Sequence, residues 1–226
     1  MKKIPVFITF LYLSAFGYSQ DSKIAIGVAG SFDAYSVKYW ENPNLSLLDR
    51  KYQFLNGYSV GGRFEYHISE KLTFRSGIFY ANKGYTVDYS FLFSQPNDPS
   101  IPRKSTIKAG FVSVPLMLGY ESLATERFKI IPAFGVVVSG KIHESEITVY
   151  EDDSERKSDL SELYTSVLSS SQFGIQANLG FAYFLTDHMF VLLEPYFNYG
   201  FSGLNTNIEI GKPMMYGGIL SVNLKL

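Results

Sequence analysis

Hydrophobic and polar residues alternate along most of this chain. From Tyr58 to Ile68 (YSVGGRFEYHI), apolar or small residues hold the even positions, while Arg63, Glu65 and His67 hold odd ones. Such alternation places the apolar side chains on one face of a β-strand, whereas a helix would scatter them. The pattern recurs in eight segments, namely 24–35, 58–68, 72–80, 112–120, 128–138, 173–183, 189–201 and 214–226. Each has about the 9–11 residues that a tilted strand needs to cross a membrane.

The connections between these segments alternate in length. Those at 69–71, 121–127 and 186–188 are short and polar, whereas four others are long: 37–56, 88–105, 142–171 and 202–213. Outer-membrane barrels have this layout, with short turns in the periplasm and long loops outside the cell. The sequence therefore predicts an all-β fold, an eight-stranded antiparallel up-and-down transmembrane β-barrel with a polar lumen.

The polar face of the segments carries large charged side chains together with many glycines, a mixture that suits the narrow interior of an eight-stranded barrel. We expect Arg63, Glu65, Arg75 and Glu194 to form an ion-pair network there, because an isolated buried charge costs several kcal/mol. Such a network would stabilise the barrel and block conduction. A gated pore or a ligand site in the lumen is the alternative for these charges. The same stripes also fit a second architecture, a secreted soluble β-barrel whose apolar face surrounds a small apolar ligand.

Aromatic residues and prolines add detail to the segments. The aromatics that we assign to interfacial girdles are Tyr35, Tyr58, Tyr66, Tyr80, Tyr85, Tyr120, Tyr183, Tyr199, Phe201 and Tyr216. Pro115, Pro132 and Pro195 fall inside three segments, where each removes a donor from the strand ladder. We expect them to mark bulges, since the alternation continues on both sides.

The N-terminus and the composition limit the remaining possibilities. Residues 1–19 have a positive start, a short apolar stretch, and small residues at Gly17 and Ser19, so they are predicted to be a cleaved signal peptide. Residues 20–226 then form one barrel domain. The absence of cysteine excludes disulfides, thiolate metal sites and a catalytic cysteine. With 20 basic and 21 acidic residues, the chain has no basic footprint for nucleic acid.

The segment FVSVPLMLGY (111–120) has the pattern aromatic–x–x–(Ile/Val)–Pro–Leu–x–Leu–x–Tyr. It resembles a strand of the PorT-like outer-membrane β-barrel family. The segments 128–140, 173–185 and 190–204 resemble the strands that follow in that family, and 220–226 resembles its closing strand. The resemblance implies an eight-stranded barrel of OmpA or OmpX size in the outer membrane. Some members are linked to protein secretion or gliding machinery, so a component of a secretion complex is an alternative function. Such barrels usually end in an aromatic residue, whereas this chain ends in Leu226.

The longest connection is the first candidate for a partner surface. Between residues 143 and 171 the chain has eight acidic and two basic residues, and Glu151, Asp152, Asp153 and Glu155 form its acidic centre. Such a charge run is usually solvated and mobile. Residues 158–168 could form a short helix. The proline-containing loop 88–105 is a second candidate surface, and 37–56 is a third long outer loop.

The three histidines, His67, His143 and His188, carry the remaining candidate chemistry. No two of them have metal-ligand spacing, so no metal or cofactor is predicted. An outer-membrane lipid or peptide hydrolase is a further alternative, because Glu144 and Ser145 follow His143. Adjacent side chains on an extended strand point oppositely, however, and build no local triad. We therefore predict a monomeric, non-enzymatic barrel that contacts outer-membrane lipid and is either structural or partner-binding through its long outer loops.

Overall fold

The computed structural model describes residues 23–39, 51–88, 102–123, 125–150, 152–159, 170–201 and 211–226. The predicted signal peptide, residues 1–19, lies outside the described residues. In the described part of the chain, no helix is long and apolar enough to cross a membrane.

Ten β-strands make up the described structure. They are β1 (Ile24–Tyr39), β2 (Lys51–His67), β3 (Leu72–Asp88), β4 (Pro102–Tyr120), β5 (Ser122–Leu123), β6 (Phe128–Tyr150), β7 (Glu155–Asp159), β8 (Ser171–Phe184), β9 (Met189–Gly200) and β10 (Gly211–Lys225). Eight are long enough to cross a bilayer at a tilt. The two short strands, β5 and β7, pair with β6.

The eight long strands form a closed antiparallel ring in the order β4-β3-β2-β1-β10-β9-β8-β6. The first and last strands pair from Ala25↔Lys225 to Tyr39↔Gly211, and β4 pairs with β6 to complete the circle. Closure provides the backbone hydrogen bonds that a membrane interior cannot provide. The predicted eight-stranded up-and-down barrel is therefore confirmed. We call the end with the short turns the periplasmic end and the opposite end the outer end.

The apolar stripes face outward. Phe32 is 83% exposed, Ile78 is 67% exposed and Leu179 in the middle of β8 is 42% exposed, whereas Arg75 and Glu194 are at most 2% exposed. This distribution is the reverse of a soluble barrel and matches a barrel in lipid. The soluble-barrel alternative, in which the stripes would surround an apolar ligand, is therefore wrong.

The strands extend further at the outer end than the sequence pattern predicts. Strand β6 continues to Tyr150 and β7 occupies residues 155–159, so much of the predicted loop 142–171 is a hairpin. Ser158 and Asp159 lie in β7, so the short helix predicted from residue 158 is wrong at its start. The predicted loops 88–105 and 37–56 are shortened in the same way, because β4 begins at Pro102 and β2 at Lys51.

Above the outward apolar belt, the apolar side chains change faces. Tyr85 and Val87 on β3, with Ile107 and Ala109 on β4, point into the barrel and are at most 5% exposed. They pack in one cluster that also contains Tyr35. Tyr35 and Tyr85 are therefore lumen residues, and assigning them to an interfacial girdle was wrong.

Pro115, Pro132 and Pro195 lie at gaps in the strand ladders, so the expectation that they mark bulges is wrong. The β3–β4 ladder omits Gly77, Ile78, Val114 and Pro115, and its register is the same before and after this gap. The β8–β9 ladder has a similar gap that includes Pro195. Pro132 keeps its pairing with Leu179 on β8, but the pairing of β6 with β4 has already stopped at the neighbouring pair, Gly119↔Ala133. The strands therefore tolerate these prolines because each lies where one neighbour is unpaired.

Candidate functional site

A cluster of four charged side chains crosses the lumen. Glu65 on β2 is the cross-strand partner of Arg75 on β3, and Arg63 lies two residues before Glu65 on the same face. Strand β9, which carries Glu194, lies four strands from β3 in the ring of eight and is therefore opposite to it. The alternation of the strands thus directs all four side chains to the centre of the barrel.

The four groups contact one another directly. Arg63 Nε lies 2.8 Å from Glu65 Oε1, and Arg75 Nη1 lies 3.0 Å from Glu194 Oε1. Arg63 Nη1 also donates to Glu194 Oε2, while Arg75 Nε lies 3.6 Å from Glu65 Oε1. Two cations and two carboxylates cancel, so the cluster buries no net charge and each carboxylate has an ionic partner. The structure thus brings together the four residues that the sequence suggested for a lumen network.

An apolar layer lies on the periplasmic side of this ion cluster. Phe190 and Leu192 precede Glu194 on β9 and point into the lumen with Ile131 and Ala182, all at most 2% exposed. Water enters such a layer only at a cost, because it offers no hydrogen bonds. The ion cluster and the apolar layer together close the lower half of the lumen.

A second charged group lies at the periplasmic rim, just beyond the end of β4. His67 Nδ1 is 3.1 Å from Glu121 Oε1, and Lys129 Nζ donates to Glu121 Oε2. Burial acts to raise the pKa of Glu121, but the hydrogen bonds from His67 and Lys129 outweigh it and lower the pKa to about 2. Glu121 therefore remains ionised at neutral pH and connects β2 with β6 at the rim.

A cavity of about 70 Å³ lies on the outer side of the ion cluster. Its polar lining includes Arg63 and Arg75 from the cluster, together with Asp33 on β1, Lys83 on β3 and Tyr196 on β9. Sequence analysis did not single out these last three residues. The apolar residues of the β1 segment have even numbers, so the odd-numbered Asp33 is expected to face the lumen. Lys83 could not be placed in this way, because it lies beyond the predicted end of its strand. The lumen is therefore filled in its periplasmic half and contains a cavity in its outer half.

The outer hairpin consists of β6 residues 144–150, the turn and β7. Of its predicted partner residues, Glu151 lies outside the described residues, Asp152 and Asp153 form the turn, and Glu155 begins β7. Asp153 adopts a left-handed conformation with a φ of 59°, and its carboxylate is 3.4 Å from Arg103. A hydrogen bond from Ser154 lowers the pKa of Asp152. The hairpin therefore presents an ionised turn to the solvent.

One histidine lies on the outer part of β6, and the other two lie at the periplasmic end. His143 lies on the outward surface of β6, where its ring stacks on Tyr80 with centroids 6.5 Å apart. His188 lies in the exposed β8–β9 turn, and His67 contacts Glu121 at the rim. In the described part of the chain, no group of three or more His, Cys, Asp and Glu side chains is arranged to hold a metal ion.

A β6 bulge explains the position of His143. Phe111 pairs with Lys141 but the preceding Gly110 pairs with His143, so Ile142 is an extra residue. Lys141 and Glu144 consequently both face the lumen, 2.6 Å apart, while His143 faces outward. His143 is thus separated from the carboxylate that follows it.

Comparison with known proteins agrees with this architecture. A family model described as outer membrane protein beta-barrel domain matches residues 18–206. The chain belongs to this outer-membrane barrel family. OprG from Pseudomonas aeruginosa is a similar solved barrel, 14% identical, with a TM-score of 0.50 over 91% of this chain and 97% of OprG. No curated protein sequence matches the chain.

Two further solved barrels are similar over nearly their full lengths. Neisserial surface protein A is 14% identical with a TM-score of 0.46, over 91% of this barrel and 98% of that chain. The attachment invasion locus protein Ail of Yersinia pestis is 10% identical with a TM-score of 0.36, over 88% of this barrel and 97% of Ail. The family match and the outward apolar belt place this barrel in the outer membrane.

Proposed function

We propose that the barrel is a non-conducting, non-enzymatic outer-membrane protein that binds a protein partner through its outer hairpin. The observation that carries the proposal is the length of β6, whose 23 residues are about twice what a membrane crossing needs. The excess pairs with β4 on one edge and β7 on the other. This three-stranded sheet stands outside the lipid, where a partner has access to it.

The closed lumen supports the non-conducting part of the proposal. An ion crossing the barrel would have to displace Arg63 and Glu194 from each other and then enter the layer around Leu192. Purified barrel reconstituted in planar lipid bilayers should show no stepwise conductance under an applied voltage. Regular single-channel steps from the wild-type barrel would contradict this part of the proposal.

The outer hairpin offers charged side chains of both signs to a partner. Glu155, Arg156 and Lys157 on β7 are all exposed, as are Asp152 and Asp153 in the turn. A mixed charged surface favours partner selection through complementary charges. It also protects the exposed strand β7 from unspecific pairing.

Site-specific crosslinking in living cells tests the partner surface. A photo-reactive amino acid at Arg156 should give one discrete adduct, and the same probe at Thr186 in the periplasmic turn serves as the matched control. Reversing charge with Asp153→Lys and Glu155→Lys should remove the adduct at Arg156. Absence of any adduct at Arg156, or its persistence after charge reversal, would contradict the proposed surface.

The positions of the histidines support the non-enzymatic part of the proposal. A histidine that activates a nucleophile needs a hydroxyl or water within hydrogen-bond reach and an orienting partner. His143 faces outward against Tyr80, and His67 Nε2 is buried with no hydrogen-bond partner among the described residues. His67→Ala and His143→Ala barrels that fold should therefore leave lipid A composition unchanged in mass spectra of the cell envelope.

We further propose that the barrel belongs to the PorT-like subgroup and works as a monomer. The residue pattern of the strand 111–120 supports the first point, since it is similar to the aromatic–x–x–(Ile/Val)–Pro–Leu–x–Leu–x–Tyr strand of that family. The monomeric state is supported by the pairing of every long strand on both sides, because the ring needs no second copy.

If a secretion complex is the partner, deleting this chain should leave secreted cargo in the periplasm. Light scattering of the purified barrel should give the mass of one copy.

A further inference from the structure

The cavity above the ion cluster has the size and position of a binding site. A buried water needs about 10–15 Å³ of such space, so about 70 Å³ holds about five waters or a guest of about five heavy atoms. A second cavity of about 20 Å³ lies nearer the outer end and shares Lys83, Val137 and Met215 with the first. The two cavities therefore follow one another along the lumen, from the outer end down to Arg63 and Arg75.

Two polar groups of opposite charge line the main cavity with unused hydrogen-bonding capacity. Among the described residues, Arg75 Nη2 and Asp33 Oδ2 have no hydrogen-bond partner, although Arg75 is 2% exposed and Asp33 is 4% exposed. Each group has one hydrogen bond within the barrel, since Arg75 Nη1 donates to Glu194 and Asp33 Oδ1 accepts from the Tyr196 hydroxyl. Leaving a buried charged group without a partner is costly, so each atom should meet a complementary group from a guest.

The charge balance of the surrounding walls selects the kind of guest. The cations in and around the cavity are Arg63, Arg75 and Lys83, and the carboxylates are Asp33, Glu65 and Glu194. Three charges of each sign cancel, so a guest with a net charge would itself become an uncompensated buried ion. A neutral guest that carries both an anionic and a cationic end avoids this cost.

We propose that the cavity binds a small zwitterion of amino-acid size. Its carboxylate would accept from Arg75 Nη2 and its ammonium would donate to Asp33 Oδ2. Alanine, with six heavy atoms, is close to the size that the cavity takes. The apolar layer around Leu192 closes the floor, so the site is a blind pocket reached from the outer end and not a passage. This inference does not depend on the outer hairpin or on its partner.

Saturation-transfer NMR with L-alanine on the full barrel in lipid nanodiscs tests the proposal. We expect saturable binding, with acetate and methylammonium each competing more weakly because each satisfies one of the two groups. Asp33→Asn keeps the shape and removes the charge, and it should weaken alanine binding by at least about tenfold. Ala81 lines the same cavity, so Ala81→Leu fills it without replacing a charged group and should abolish binding.

Matched controls separate the lumen site from surface binding. Asp153→Asn makes the same chemical change on the exposed turn and should leave alanine binding unchanged. Each variant is first shown to fold by the change in gel mobility on boiling. Absence of saturable alanine binding to the wild-type barrel would mean that the cavity holds only water. Retained binding in Ala81→Leu, or acetate binding as tightly as alanine, would also overturn the proposal. None of these results bears on the conductance or crosslinking tests above.

Discussion

At the scale of the residue, Glu194 is the carboxylate that pairs with both arginines of the ion cluster. It is fully buried and contacts both Arg63 and Arg75. Glu194→Gln keeps the shape but leaves two guanidinium groups with one carboxylate, so it should destabilise the barrel by about 3–5 kcal/mol. Urea titration in lipid vesicles, followed by gel mobility, measures the loss. Glu155→Gln on exposed β7 should change stability by no more than about 0.5 kcal/mol, and a similar small effect at Glu194 would contradict the assigned role.

Glu121 should make the periplasmic rim sensitive to acid. Its hydrogen bonds from His67 and Lys129 lower its pKa from 4.5 to about 2 in the folded barrel. A carboxylate whose pKa falls on folding stabilises the folded state above its unfolded pKa, and this contribution is lost as the pH falls toward the folded value. The stability difference between wild type and Glu121→Gln should therefore be full above pH 5 and shrink as the pH approaches 2.

Urea midpoints measured at several pH values give this difference directly. Glu126→Gln, in the exposed part of the same connection, is the matched control and should leave the pH profile unchanged. A difference between wild type and Glu121→Gln that stays constant from pH 6 to pH 2 would contradict the ion-paired state of Glu121.

The ion cluster could be predicted from sequence because its residues are identified by the alternation of inward and outward side chains along each strand. Within an uninterrupted strand, the two-residue period puts Arg63 and Glu65 on one face. Charges on that face of a narrow barrel must pair, because an isolated buried charge is costly. The same counting places Tyr35 on the lumen face, and only its aromatic character suggested a girdle. Lys83 and Tyr85 could not be placed in this way, because the apolar stripe that marks β3 stops before them.

At the scale of the strand, the pattern of apolar and polar residues depends on the surroundings of the strand as much as on its conformation. Within the lipid, β4 has its apolar residues on the outward face, whereas above the lipid Ile107 and Ala109 occupy the inward face. The stripe therefore ends where the strand leaves the membrane, and the strand itself continues. On β6 the extra residue Ile142 shifts the parity as well. Both effects made the outer hairpin resemble a loop in the sequence.

Strand β8 tests the orientation of the stripe. Leu179 lies mid-strand on the outward face and is 42% exposed. Leu179→Arg should cost about 2–4 kcal/mol in lipid, because an arginine near the bilayer midplane loses its hydration. The same substitution at Leu185, in the periplasmic turn beyond β8, is the matched control and should cost about 1 kcal/mol or less. Equal unfolding midpoints for the two variants in vesicles would show that Leu179 does not face lipid.

At the scale of the whole molecule, the two ends of the barrel differ in kind. The periplasmic end has short turns and an apolar floor, whereas the outer end has the upper cavities and the tall β4–β6–β7 sheet. The proposed partner-binding hairpin and the entrance of the proposed pocket both lie at the outer end. The function proposed here therefore depends on that end facing the outside of the cell.

The chain has no cysteine, so single introduced thiols report this orientation without background. Asp153→Cys places a thiol on the exposed turn of the outer hairpin, and Asp187→Cys places one in the exposed β8–β9 turn. In intact cells, a membrane-impermeant maleimide should label the first variant and leave the second unlabelled, because the outer membrane shields the periplasmic turns. After the outer membrane is permeabilised, both variants should label. Labelling of the Asp187 variant alone in intact cells would reverse the orientation, and with it the proposed access to both the hairpin and the pocket.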